Sequence, residues 1–511
     1  MGFKQITLKL PTDFTSEQLK KRIGSDLRIN DFSYQIENKS LDARKKNDIH
    51  WVVKLAVTSK ELKGGEPEQI QDLVIPFKKR SPKVVVLGSG PAGFFAAFAL
   101  QKAGFNTTII ERGTNVTKRA EGINHFEKTG QFDPLSNYAF GEGGAGTFSD
   151  GKLTSRSKHI SQERKYILSS YVKAGAPQEI EYMAHPHVGS DNLKLIVKNL
   201  REEYISLGGE LLFETLLEDI NVNHGKVTKA FTSKREIETD LLLIAPGHSA
   251  YETYRMLIKR SVNFRVKNFA LGSRLEHPQI IINQAQWGQK QLPGVKAAEY
   301  RLTSNIDGKL PVYTFCMCPG GIVVPASAYD NTNIVNGMSL YQRDAKFANA
   351  ACVAGVNLEK LLGKETSALE ALDWLENLER SFYKYSDGFK APYCSIQDFI
   401  NKKTPSQNTE TSYPLGLVPA PLWELLPKEV STSMRESLKE FSRKIKGFET
   451  GNIMGLESKT SSPIQVLREK NGLCEGFKNL YLIGEGSGYA GGIISSAADG
   501  LKAALEIINN N

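Results

Sequence analysis

The order of apolar and polar positions divides the chain into stretches of different period. Phe3 to Leu10 alternates, as a strand with one buried face must, and Thr15 to Ile23 repeats at helical spacing. Phe32–Glu37 and His50–Val57 read as two more strands, so residues 1–80 are expected to form a small α+β unit. Lys63-Gly64-Gly65-Glu66-Pro67 reads as a loop, and Lys78-Lys79-Arg80-Ser81-Pro82 as the boundary. From Lys83 the pattern becomes strand, glycine turn, helix, strand. An amphipathic helix is expected over 193–207, with Leu193, Ile196, Val197, Leu200, Tyr204 and Leu207 on one face. Short strands follow at Glu210–Phe213, Asp219–Val222, Lys226–Phe231 and Asp240–Ala245. The section from 264 to 454 mixes strands with helices expected around Lys346–Leu361 and Ser367–Tyr383. Leu480 to Ile508 returns to strand, glycine loop and helix.

This order predicts an α/β fold with three parts. A Rossmann-like dinucleotide-binding domain takes residues 81–263 and returns over 455–511. An α+β substrate or cap domain takes 264–454, and the small N-terminal α+β domain takes 1–80.

Composition changes this picture little. A chain of 511 residues is too long for one core, and its apolar and charged fractions are ordinary for a globular protein. No apolar run approaches the roughly 20 residues of a membrane span, and the N-terminus lacks a signal-peptide apolar core. Five cysteines without a regular framework fit a reducing compartment, so a cytoplasmic location is expected. The net charge of +9 is uneven, because residues 1–80 hold 16 Lys/Arg against 11 Asp/Glu. Such basic clusters are ordinarily a solvated face, and a nucleic-acid arm is the sharper alternative.

The glycine turn carries the chemistry. The apolar run Lys83–Leu87 enters Gly88-Ser89-Gly90-Pro91-Ala92-Gly93, and a helix rich in small residues follows. Gly88 allows the tight turn, Gly90 lets backbone approach a pyrophosphate, and Gly93 lets helix and strand pack closely. The helix start offers free N–H groups and a positive dipole to the phosphates. The second strand ends in Glu111-Arg112, and Glu111 lies 18 residues past Gly93, where a ribose-binding carboxylate is expected.

FAD and NAD share this fingerprint, and further blocks separate them. GSGPAG at 88–93, FGEGGAGTFSDGKL at 140–153, APGHSA at 245–250, RLEHPQ at 274–279, CMCPGG at 316–321, KTSSP at 459–463 and GEGSGYAGG at 484–492 resemble a family of bacterial FAD-dependent dehydrogenases, two-domain flavoproteins with a small N-terminal α+β domain. The resemblance covers roughly residues 81–511 and implies FAD as cofactor. This chain has Pro246, Lys459 and Gln465 where relatives favour a small residue and arginines, and Glu485 where similar flavoproteins carry aspartate.

The expected cofactor-binding residues are Gly88, Gly90, Pro91, Ala92, Gly93, Glu111, Arg112, Gly143, Gly144, Ala145, Gly146, Thr147, Ala245, Gly247, Gly484, Glu485, Gly491, Gly492 and Ile493. Gly143–Thr147 would let backbone approach the flavin, Glu485 would accept a ribityl hydroxyl, and the helix opening at Ile493 would face the flavin's N1 and O2 edge. Only one GxGxxG follows strand–turn–helix logic, so a tightly held second dinucleotide is not expected; NAD(P)H or another donor would act transiently.

Candidate catalytic residues are Cys316, Cys318, His248 and Lys459. Cys316 and Cys318 follow the apolar run Val312–Phe315 and precede Pro319-Gly320-Gly321, read as a hairpin turn. On a regular strand, residues two apart share a face, so both thiols would point together. They would then exchange electrons with a flavin, attack a substrate, or simply pack as small buried residues. His185, His187, His248 and His277 sit in loop-like contexts open to acid–base roles or to turn stabilisation. Lys459 would place a cation near an anionic substrate, or lie in a surface turn. No metal site is expected, because no second ligand pair stands near the thiols. The function expected is FAD-dependent oxidation or reduction of a small molecule. Flavin-dependent RNA modification and a non-enzymatic redox sensor are the rivals.

Overall fold

The computed structural model describes the chain except Met1 and residues 66–70, 156, 158, 404 and 406–408. Glu66 and Pro67 of the expected loop lie outside the described residues.

The N-terminal segment forms an antiparallel sheet in the order Gly2–Leu10, His50–Ser59, Ser33–Asp42, with the helix Ser16–Leu27 beside it. Thr15 and Gln18 close a reciprocal cap at that helix's start. Alternating Val53, Leu55 and Val57 meet Leu8, Leu19 and Ile23 in a small core. This unit touches the rest of the chain through paired backbone bonds between Lys39 and the segment Tyr182–Ala184.

Five strands form the parallel sheet, in the order Leu480–Leu482, Leu241–Ile244, Lys83–Leu87, Asn106–Ile110, Glu210–Leu212. Period-2 alternation sorts its side chains into two layers. Val84, Val86 and Leu243 pack with the helices Pro91–Lys102, Ser161–Lys173, Gly189–Ser206 and Ile493–Asn509. Val85, Leu87, Leu242 and Ile244 face the antiparallel meander Leu217–Asn223, Lys226–Thr232, Glu236–Glu238. The helix Pro91–Lys102 is apolar on all sides because it is buried on all sides, against the sheet and against Ile493–Asn509.

An eight-stranded, almost wholly antiparallel sheet is built from residues 269–457. Phe269–Pro278, Phe347–Val356 and Asn452–Glu457 are central, and the helices Ala368–Ser386 and Lys428–Lys444 pack over one face. Ser367 caps the first of these, as its Ser-x-x-Glu pattern anticipates.

Two expectations fail in this sheet. The helix expected around Lys346–Leu361 is the strand Phe347–Val356, followed by a short helix, Leu358–Leu362. Its sequence FANAACVAGV lacks alternation because the strand is covered on both faces. Ala348, Ala350, Cys352 and Ala354 meet the helical layer, while Ala351 and Val353 pack with Ala270 on the other side. The hairpin expected at Pro319-Gly320-Gly321 is not a turn either. Val312–Pro325 runs through it as one strand, and the chain reverses only after Pro325, which pairs with Val335.

Candidate functional site

The strand Lys83–Leu87 ends where Gly88, at φ +91°, turns beneath Ala245; a Cβ there would stand 2.3 Å from the Ala245 carbonyl oxygen. Gly90 caps the helix Pro91–Lys102 without any side-chain hydrogen bond, leaving that helix start to a ligand. Gly93 packs hard against the strand end, since a Cβ on it would lie 2.0 Å from the Gly88 carbonyl oxygen. A Cβ on Gly90 would point at the Gly144 Cα, 3.6 Å away, so the two glycine loops meet backbone to backbone.

Arg119, which no sequence motif marked, shapes that second loop. Fully buried, it donates to the carbonyls of Asn137 (2.8 Å), Tyr138 (2.9 Å), Glu142 (2.9 Å) and Gly144 (2.8 Å). Ala145–Phe148 then forms one 3-10 turn containing Gly146 and Thr147, and Gly146 abuts Ile493. Ile493 opens the last helix, whose cap Gly492 also makes no side-chain bond. Gly143, Gly144, Gly146, Gly90 and Ile493 thus come together. Tyr254, also unmarked, bridges the carbonyls of Gly247 (2.6 Å) and Gly486 (2.9 Å), joining the turn after Ala245 to the turn after Gly484. Gly484 itself packs against Ala92.

The residues around this line of turns fit a dinucleotide. A Cβ at Gly247 or Gly492 would meet no protein atom within 4 Å, and both glycines have positive φ. Glu485 lies near this opening, 3.9 Å from where a Gly491 Cβ would be. Glu111 has other duties as well. Its carboxylate accepts from Ser89 N (2.9 Å), Ser89 Oγ (2.7 Å), Gly113 N (2.9 Å) and Gly141 N (3.1 Å), so a ribose hydroxyl would share or displace one of these. Arg112 is spent on Glu252 and on the face of Phe140, 3.7 Å away.

Beyond the 3-10 turn the chain enters Ser149-Asp150-Gly151-Lys152, and a charged cluster begins where the parallel sheet's loops meet the antiparallel sheet. Asp150 pairs with Arg343 at 2.6 Å, and Ser339 Oγ donates to the same carboxylate. Arg343 also reaches Glu299 at 2.5 Å. Burial works against the Asp150 charge, but Arg343 and Lys152 outweigh it and hold the carboxyl down to about 2. Lys296 stands 3.1 Å over the Tyr341 ring, and burial draws its ammonium down to about 8. Lys152 lies 3.9 Å from both Asp150 and Glu299 and donates to the carbonyl of Met317, inside the Cys-Met-Cys segment.

That segment is a double bulge. Phe315 faces Ala351, Cys318 faces Asn349 and Gly321 faces Phe347, so each step takes three residues against two. Cys316 sits at φ +45°, which breaks strict alternation, and the Cys318 thiol folds back to donate to the Cys316 carbonyl at 3.4 Å. The two cysteines are drawn together by this kink, with Arg274 on both, and not by the shared face of a flat strand. Arg274, fully buried, donates to the Cys316 carbonyl (2.8 Å) and the Cys318 sulfur (3.3 Å) while paired with Glu457 at 3.0 Å. Asp150, Lys152 and Arg274 lie inside the quoted SDGKL and RLEHPQ blocks, so their signal was present, whereas Arg343 had none.

The other candidates are placed elsewhere. Lys459 is buried, 2.9 Å from Glu379 and 2.6 Å from the Tyr251 hydroxyl, and its carbonyl accepts from His248 Nε2. That pair ties the APGHSA turn to the antiparallel sheet. His277 is sealed against Phe448, with its pKa lowered by burial to about 4. His187 borders the charged cluster beside Tyr341, and burial keeps it neutral, at about 3. His185 is exposed. Among the described residues no group of three or more His, Cys, Asp or Glu is arranged to hold a metal ion, and no helix is long and apolar enough to cross a membrane.

A parallel nucleotide sheet with its glycine loop, joined to a large antiparallel sheet, defines a FAD-dependent oxidoreductase. Residues 82–253 match the family described as pyridine nucleotide-disulphide oxidoreductase, residues 268–460 match FAD-dependent protein, C-terminal domain-like, and residues 3–58 match a domain of unknown function. A protein of Clostridium beijerinckii titled "Uncharacterized protein" is 38% identical over 530 residues, covering 99% of each chain. The chain belongs to that protein's family, a family of FAD-dependent proteins. Among solved structures, glycine oxidase from Bacillus cereus is 11% identical, covering 84% of this chain and 95% of that one, with a TM-score of 0.34. A geranylgeranyl bacteriochlorophyll reductase-like protein from Thermoplasma acidophilum is 12% identical, covering 84% and 79%, with a TM-score of 0.36.

Proposed function

We propose that this chain is a dehydrogenase or reductase of a small molecule, and that its substrate reacts where the charged cluster meets the double bulge. The observation that carries this reading is the bond from Lys152 to the Met317 carbonyl. It ties the loop that leaves the cofactor-side glycines to the thiol-bearing strand of the other sheet.

FAD, when bound, supplies the two-electron chemistry. The start of the helix Pro91–Lys102 would hold the pyrophosphate, and Gly247, Glu485, Gly491 and Gly492 would lie along the rest of the cofactor. Arg119 positions the second glycine loop by satisfying its carbonyls. At the junction, Lys152 and Arg343 stand against Asp150 and Glu299, and Lys296 against Glu179 at 3.9 Å, and the partly exposed Lys152 and Lys296 ammonium groups suit a substrate carrying a carboxylate or carbonyl oxygen. Lys296, brought to about 8, can give up a proton near neutral pH. The RNA-modifying and sensor readings draw no support from the family matches.

The test is an anaerobic panel of small-molecule donors, NADH and NADPH among them, read by flavin bleaching in wild type and Lys152→Met. The expected result is bleaching of the wild type by at least one donor and a variant that keeps FAD but reacts about 100-fold more slowly. A variant as fast as the wild type would move the reaction away from this junction.

A further inference from the structure

All five cysteines are free, and four are sealed. Burial pushes the thiols of Cys352 and Cys474 up to about 12, and that of Cys394 higher still. Cys316 is the exception, being only partly buried and next to the exposed Phe315. The kink at φ +45° sets it against the sealed Cys318, whose thiol donates to the Cys316 carbonyl at 3.4 Å, and two cationic side chains fix the bulge around them. Arg274 holds the Cys316 carbonyl and the Cys318 sulfur, Lys152 holds the Met317 carbonyl, and Asn349 and Glu457 hold Arg274 in place.

The two thiols differ in the way exchange chemistry requires. The neighbouring Cys318 thiol, followed by Arg274 and Lys152, draws Cys316 below the ordinary thiol range against the opposing effect of burial. The neighbouring Cys316, together with burial, pushes Cys318 well above it. A partly buried thiol that ionises readily beside a sealed thiol that does not is the division between an attacking and a resolving cysteine.

We propose that Cys316 and Cys318 form a redox dithiol that exchanges with small disulfides, Cys316 attacking and Cys318 resolving. This rests on the junction being the reaction site and names the class of molecule it handles. The Cys316 thiolate attacks one sulfur of R–S–S–R, the substrate's S–S bond breaks, and the R–S⁻ released takes the Cys318 proton. The Cys318 thiolate then attacks the Cys316 sulfur and expels the second R–S⁻, which is protonated by water. One disulfide is reduced to two thiols, and the dithiol is oxidised by two electrons to a Cys316–Cys318 disulfide. Excess small thiol reverses both steps.

The test incubates the FAD-loaded protein in mixtures of hydroxyethyl disulfide and mercaptoethanol, alkylates it, and maps cysteines by mass spectrometry. The expected result is joint loss of alkylation at Cys316 and Cys318 under oxidising mixtures, restored by thiol, with Cys352, Cys394 and Cys474 unchanged. Cys318→Ser should trap the probe on Cys316, and Cys316→Ser should trap nothing. Wild-type protein whose Cys316 and Cys318 stay alkylatable in the most oxidising mixture would overturn the proposal, and this arm needs no variant. Flavin bleaching on the same samples separates the claims: a flavin that turns over without disulfide formation overturns the dithiol and leaves the proposed function standing.

Discussion

Asp150 and Arg343 meet 2.6 Å apart, at a place where neither side chain is open to water, and join the segment after the glycine loop to the antiparallel sheet. Asp150→Asn leaves the Arg343 guanidinium partly uncompensated and should cost about 3–5 kcal/mol. The pH dependence follows from the depressed carboxyl. Its folded value of about 2 lies below the ordinary aspartate value of 3.8, so the stabilisation is present above pH 3.8 and is lost as pH falls through 2. Acid-melting curves should show a loss on the order of 2 kcal/mol across that window in the wild type, absent in Asp150→Asn. Parallel curves for both proteins would contradict the pairing.

Lys459 was a catalytic candidate in the sequence, and the structure pairs it with Glu379 in the interior. Lys459→Met should therefore lower stability by about 3–5 kcal/mol, and adding Glu379→Gln should recover part of it. Flavin content should stay at the wild-type level in both. Melting temperatures and bound flavin together check this, and a variant that melts normally but loses turnover would restore the catalytic role.

The nucleotide half of the fold was legible because its signals are local. Val84 to Leu87, the glycines at 88, 90 and 93, and the apolar helix after them are contiguous, and Gly93 answers to Gly88 five residues before it, although Gly88 and Gly90 meet the distant Ala245 and Gly144. The antiparallel half was not, because strand pairing there joins distant segments. Phe347–Val356 is alanine-rich and without alternation, features that favour a helix until Phe269–Pro278 and Val312–Pro325 flank it. Pro319-Gly320-Gly321 has turn composition, yet the register with Phe347–Val356 spends it on a bulge. Arg119 and Arg343 act through loop carbonyls and a distant aspartate, which no spacing reveals.

Gly492 gives a test of the cofactor cradle. At φ +79° and ψ 172° it is in a region open almost only to glycine, so Gly492→Ala should cost roughly 1–3 kcal/mol. No protein atom would meet the added Cβ within 4 Å, so loss of bound FAD beyond that small destabilisation would report the cofactor's own contact. Unchanged flavin content at lower melting temperature would place the cofactor elsewhere.

Nicotinamide binding should be weak. The second GxGxxG, at Gly141 to Gly146, leads only into the four-residue turn Ala145–Phe148 and lacks the strand and helix that hold a pyrophosphate. Calorimetry of the oxidised protein with NADH or NADPH should show no micromolar site, and a stoichiometric complex would contradict this reading.

The most direct measurement is the identity and amount of flavin released when the purified protein is denatured. The account expects FAD rather than FMN, close to one per chain, and its loss in Gly93→Val, whose side chain would collide with the Gly88 carbonyl. A colourless wild-type protein that takes up no FAD on reconstitution would contradict it.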